Sequence, residues 1–176
     1  MILKKKTRLY PLPLYSLLTG AFVGAAVYGL TLFTPLADIL FCSPKISLEG
    51  AYDALVGQLV FFVICALSGF SSFATCIPCA AVFTRGLLAS ISLLSASKSM
   101  ADGLTNPIFF CVFLTATLVL CVLLTSSARL AFIYHKIVPH GKPENNLDYV
   151  ARQLYTVGTA FIIMMIYLAV SAVILK

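Results

Sequence analysis

The chain has 176 residues, a formal net charge of +6, 61% hydrophobic and only 10% charged residues, and a mean hydropathy of +1.03. Soluble domains carry about 25% charged residues, so this composition excludes an ordinary water-soluble globule and fits an integral membrane protein. The basic residues are too few and no recognition motif accompanies them, which argues against a nucleic-acid-binding module.

Apolar runs occupy residues 14–36, 55–75, 77–96, 107–125 and 155–175. They are continuous, whereas membrane β-strands alternate apolar and polar over about 10 residues. Helices satisfy their own backbone in lipid, so the expected fold is one all-α membrane domain, a bundle of five transmembrane helices.

The first run follows Lys4, Lys5, Lys6 and Arg8. A signal peptide also begins this way, but its apolar region is only about 7–15 residues long; the run 14–36 is longer and reads as a retained anchor. Pro11 and Pro13 suit a helix start. Within the run, Gly20 and Gly24 form a Gly-x-x-x-Gly pair, and Gly29 follows Ala25 at the same spacing. Small residues so spaced let membrane helices approach closely, and all three are candidate packing positions. Residues 38–53 read as an outside loop, with 47–52 a short interfacial helix.

Residues 55–94 are too long for a single crossing of about 20 residues. Two crossings meeting at a Gly/Ser/Pro break, from Ser68 and Gly69 to Pro78, account for them. Arg85 then lies about 10 Å inside the third span at 1.5 Å per residue. A charge at that depth is a functional candidate, although its side chain can also snorkel to the headgroups. No acidic residue falls within a predicted span, which disfavours a proton relay.

Cys76 and Cys79 form a Cys-x-x-Cys pair, able to cycle between dithiol and disulfide when a helix N-terminus lowers one thiol pKa. The expected topology places the pair on the reducing side. Cys42, Cys65, Cys111 and Cys121 supply no second close pair, and cysteine also serves as a small apolar packing residue. Ser68 and Ser71 lack a histidine within any span to act as base.

Residues 101–107 read as the second outside turn, and 126–152 as the longest inside segment. His135 and His140 with Glu144 or Asp148 are conceivable metal ligands, but Pro139, Gly141 and Pro143 interrupt their spacing. No metal, cofactor or complete active site is expected.

Lysine and arginine mark the cytoplasmic side. With five spans, Lys4, Lys5, Lys6 and Arg8 share a side with Arg129, Lys136, Lys142 and Arg152, leaving Lys45, Lys98 and Lys176 opposite. The N-terminus is expected in the cytoplasm and the C-terminus outside.

The pattern Ser68-Gly69-Phe70-Ser71, then Pro78, then Arg85-Gly86 and an apolar helix resembles the stage II sporulation protein M family, as does the five-span layout behind a basic N-terminus. The chain departs from that pattern at Thr75, Cys76 and Ile77, and at Ala89 and Ser90, where the family favours glycine. The resemblance implies a bacterial plasma-membrane scaffold without cofactor. Gly69, Pro78, Arg85 and Gly86 would shape the helix break and bind partners, which would be other membrane or envelope proteins or a second copy of the chain. Two other readings stay open: a transport component with a broken-helix site, and a thiol-disulfide oxidoreductase using Cys76 and Cys79.

Overall fold

The computed structural model describes residues 12–32, 48–71, 73, 75–101, 103, 106–137 and 143–174. These form five helices: α1 (Leu12–Leu32), α2 (Leu48–Ser68), α3 (Cys76–Ala101), α4 (Pro107–Ile137) and α5 (Pro143–Ile174). Among the described residues there is no strand. Helical stretches over Leu12–Leu30, Cys76–Ala101, Pro107–His135 and Asn146–Ile174 are long and apolar enough to cross a membrane, whereas the described apolar part of α2, Gly57–Ser68, is shorter. The basic N-terminus, Cys42, Lys45, His140, Lys142 and Lys176 lie outside the described residues.

The helices start and stop where local chemistry dictates. Asn106 caps α4, its Oδ1 accepting from the Ile108 amide at 2.9 Å, and Pro107 takes the first helical position, where a missing N–H costs nothing. Gly103, just past α3, adopts a left-handed φ of 73°, and its amide bonds the Met100 carbonyl at 3.1 Å, as helix C-termini commonly require. At the end of α2 the amides of Phe70 and Ser71 bond back three residues, to Leu67 and Ser68, at 3.1 and 3.0 Å. Pro78 sits in the first turn of α3, where proline is tolerated.

α1 and α3 run parallel. Ser16 lies beside Cys79, Gly20 against Phe83 and Gly24 against Leu87, so successive turns of the two helices climb together. A Cβ on Gly20 would overlap the Phe83 carbonyl, one on Gly24 the Leu87 carbonyl and Ser90 Oγ, and one on Gly86 the Leu17 carbonyl. Backbone therefore meets backbone along this seam, which maximises dispersion contact where lipid supplies no hydrophobic drive. Gly29 has no atom within 4 Å of such a Cβ and takes no part in the seam. Because α1 and α3 are parallel neighbours, the intervening chain must return along the bundle. The 21 residues of α2 give about 32 Å of rise for that return.

α4 and α5 form an antiparallel hairpin. Tyr134 pairs with Asn146, Ser127 with Gln153 and Phe113 with Tyr167, each pair centred on the same point between the helices. The core joins α2 through α5: Phe62, Cys65, Val82, Leu124 and Met164 are at most 2% exposed. Outward faces stay apolar, Phe22 and Val173 being 76% exposed, as for surfaces that meet lipid rather than water.

Helix limits differ from those expected. α2 begins at Leu48 and ends at Ser68, earlier at both ends, and absorbs the described part of the expected interfacial helix. α4 reaches Ile137 and α5 starts at Pro143, so most of the expected inside segment is helical. At 31 and 32 residues these helices measure about 46 and 48 Å, beyond the ~30 Å hydrocarbon core.

Candidate functional site

Arg85 is 8% exposed and lies about nine residues, ~14 Å, along α3 from Cys76. Gly86 beside it seats α3 on the α1 backbone. Buried positions on the same helix are Ala81, Val82 and Ala89, and Cys121 of α4 lies beside the guanidinium. Among the described residues Cys121 is the one ionisable side chain whose charge acts on it. Asp148 is the one acidic residue whose side chain is described, and it bonds Arg152 at 3.1 Å instead. A guanidinium so placed carries a desolvation cost that only a counter-charge or hydrogen-bond acceptors offset.

The segment after α2 is bound to the α4–α5 hairpin by a polar and aromatic cluster. Ala66 lies in the last turn of α2, where helix carbonyls lose their usual donors. The Phe70 amide bonds Leu67 rather than Ala66, and the Tyr149 hydroxyl donates to the Ala66 carbonyl at 2.7 Å. Gln153, one turn along α5, donates to the Tyr149 oxygen at 3.1 Å and to the Ser127 carbonyl at 3.0 Å, while Ser127 Oγ donates to Gln153 Oε1 at 2.7 Å. The Tyr149 ring stacks on Tyr134 with centroids 4.2 Å apart, and Phe70 meets both rings edge-on at 5.3 and 5.6 Å.

Gly69 serves this cluster by size rather than by backbone freedom. Its φ is not positive, but a Cβ there would overlap the Tyr149 hydroxyl and ring. Ser68 is buried and its Oγ bonds the Cys65 carbonyl at 2.7 Å. It caps its own helix and is not held as a nucleophile.

Cys76 opens α3 and is exposed, Cys79 is half-buried, and Cys65 is fully buried. Cys79 neighbours both Cys65 of α2 and Ser16 of α1. All the described cysteines are free thiols. No group of three or more metal-ligating side chains converges among the described residues. His135 belongs to α4, and Asp148 to α5 with Arg152 as its partner.

Of the residues singled out in the sequence, Gly20, Gly24 and Gly86 meet at the α1–α3 seam. Arg85 is turned toward α4, and Gly69 touches α5. Sequence reasoning passed over Ser127, Tyr134, Tyr149 and Gln153. A signal for them exists: Ser127 and Gln153 stand equally far from His140, as facing positions of a hairpin turning there would. Compared with protein-family models, with curated proteins and with solved structures, the chain finds no match.

Proposed function

We propose that this chain is a non-catalytic membrane scaffold with five spans, N-terminus in the cytoplasm of a bacterial cell and C-terminus outside, of the kind the resemblance to stage II sporulation protein M implies. The observation carrying this reading is Arg85, a cation buried in the bundle with Cys121 the one ionisable side chain that acts on it among the described residues. Catalysis or proton transfer would call for acid–base groups around it. Assembly calls for a fixed charge that a partner's carboxylate or free carbonyl satisfies.

Parallel α1 and α3 support five spans, since α2 must then return between them. The same arrangement gathers Arg129 and Arg152 at the end where α3 begins and Lys98 at the other, in keeping with cytoplasmic placement of the first end. In this reading Gly69, which packs against Tyr149, and Pro78, in the first turn of α3, shape the break that sets where α3, and hence Arg85, stands.

The test is capture of partners from native membranes through a photo-crosslinker at exposed Phe22, with and without Arg85→Ala. Defined partner proteins that disappear in the variant, at unchanged membrane insertion, support the scaffold. An unchanged partner set rules Arg85 out as the partner contact. A second reading rests on Cys76, an exposed thiol at a helix N-terminus three residues from Cys79. A mixed disulfide trapped on Cys76 in a Cys79→Ser variant would favour an oxidoreductase instead.

A further inference from the structure

Three helices build a polar layer inside the bundle. α2, α3 and α4 each pack on the other two, and Phe62, Val82 and Leu124, one from each, share a buried cluster and are at most 1% exposed. α2 and α4 run opposite to α3. One turn further from the Cys76 end therefore lie Gln58, four residues before Phe62, Arg85, three after Val82, and Cys121, three before Leu124. Two neighbour relations fix this register. Cys121 lies beside the Arg85 guanidinium, and Cys65, three residues after Phe62, neighbours Cys79, three before Val82.

The layer is incomplete in two respects. Arg85 is 8% exposed, a guanidinium keeps its charge in proteins, and the one carboxylate whose side chain is described, Asp148, is engaged with Arg152. Gln58 Oε1 is buried and accepts from no donor, a state that costs about 1–3 kcal/mol. A guanidinium and an amide thus stand at one height without bonding to each other, and a third species closes the gap. Water would meet the hydrogen bonds and leave the buried charge unbalanced. A small anion meets both: it accepts from Arg85, and a half-turn of the Gln58 amide replaces the orphaned oxygen with the NH₂ donor.

We infer that Arg85, Gln58 and Cys121 form a site for one small monovalent inorganic anion of chloride size. Arg85 supplies the charge, Gln58 an amide donor and the Cys121 S–H a weak third donor. The anion is the counter-charge of the unassembled chain. Only its displacement by a partner's carboxylate rests on the scaffold reading; binding itself does not.

The test is chlorine NMR line broadening on the purified full chain in detergent, titrated with chloride against gluconate at constant ionic strength. Broadening should saturate, and bromide should displace the chloride. Arg85→Met should weaken binding at least about 30-fold, as loss of a buried charged partner does. Gln58→Leu, which keeps the charge, should weaken it about 10-fold, and Arg85→Lys should retain saturable binding. Arg152→Gln, exposed and outside the layer, should bind like the parent. Broadening that does not saturate in the parent overturns the proposal, as does broadening that survives Arg85→Met. A Gln58→Leu chain that binds like the parent overturns the three-helix site. Should Arg85→Met fail to fold, Gln58→Leu and Arg85→Lys decide the matter. Partner capture without chloride binding would overturn this inference alone, and chloride binding without partners would overturn the scaffold alone.

Discussion

The Tyr149 hydroxyl reaches back 83 positions to bond the carbonyl oxygen of Ala66 at 2.7 Å. It supplies the donor that the last turn of α2 lacks, and so ties the end of one helix to the start of another. An unsatisfied buried carbonyl costs about 1–3 kcal/mol, more than an ordinary hydrogen bond contributes net. The bond's removal should therefore be measurable.

Tyr149→Phe keeps the stack on Tyr134 and loses the bonds to Ala66 and Gln153. We expect a loss of about 1–2 kcal/mol in reversible unfolding in mixed micelles. Gly69→Ala should cost more, because its Cβ overlaps the Tyr149 hydroxyl. When Gly69→Ala is combined with Tyr149→Phe, with that oxygen gone, the glycine substitution should be milder. Strict additivity of the two changes would show that they do not share this contact.

Replacing Gly20 with Leu should push α1 off α3. Ser16 and Cys79 are neighbours in the seam, so a Ser16→Cys chain, otherwise cysteine-free except at Cys79, should crosslink readily under mild oxidation. Adding Gly20→Leu should abolish the crosslink, whereas Gly29→Leu should leave it intact, since a Cβ at Gly29 meets nothing within 4 Å among the described residues. Equal crosslinking in all three chains would contradict a seam built on close backbone approach.

Arg85→Met should not destabilise the isolated bundle. Replacing a buried ion pair by apolar side chains of similar volume is often neutral or stabilising by about 1–4 kcal/mol, and removing a buried cation with no described carboxylate partner acts in the same direction. Under the scaffold proposal the same variant should lose its partners. A fall in melting temperature instead would mean that Arg85 holds the bundle together, and its conformational role would displace the partner-binding one.

Cys76 and Asn106 are exposed at opposite ends of the bundle, at the start of α3 and the start of α4. In single-cysteine chains, an impermeant thiol reagent should reach an Asn106→Cys variant in intact cells and Cys76 only after the cells are opened. Labelling of both from outside would overturn the proposed orientation and the separation of the two ends.

How far the fold was legible in the sequence follows from what each force leaves there. Long apolar runs announce helices because burial in lipid acts on composition; the runs were read as five spans, and four of the helices are long and apolar enough to cross a membrane among the described residues. Helix ends were less readable. Past Thr125 the chain turns polar with Ser126, Ser127 and Arg129, which looks like departure from the membrane, yet α4 continues because those residues extend a helix that leans on α5. The Gly20–Gly24 spacing announced a close approach without saying to what. Phe83 and Leu87 offer it their backbone carbonyls, and a carbonyl has no sequence signature. The Tyr149 cluster was hidden for the same reason: its acceptors, Ala66 and Ser127, contribute main-chain oxygens.

The parallel seam also imposes an order of events at birth. α1 leaves the ribosome first, but its groove partner around Phe83 is about sixty residues behind. At ~5–20 residues per second, the glycine face of α1 waits roughly 3–12 seconds among lipids before α3 arrives to cover it. Order of synthesis is thus not order of assembly. The glycine face of α1 precedes its partner, so a chain supplied as two pieces, cut between α1 and α2, should still come together in the bilayer.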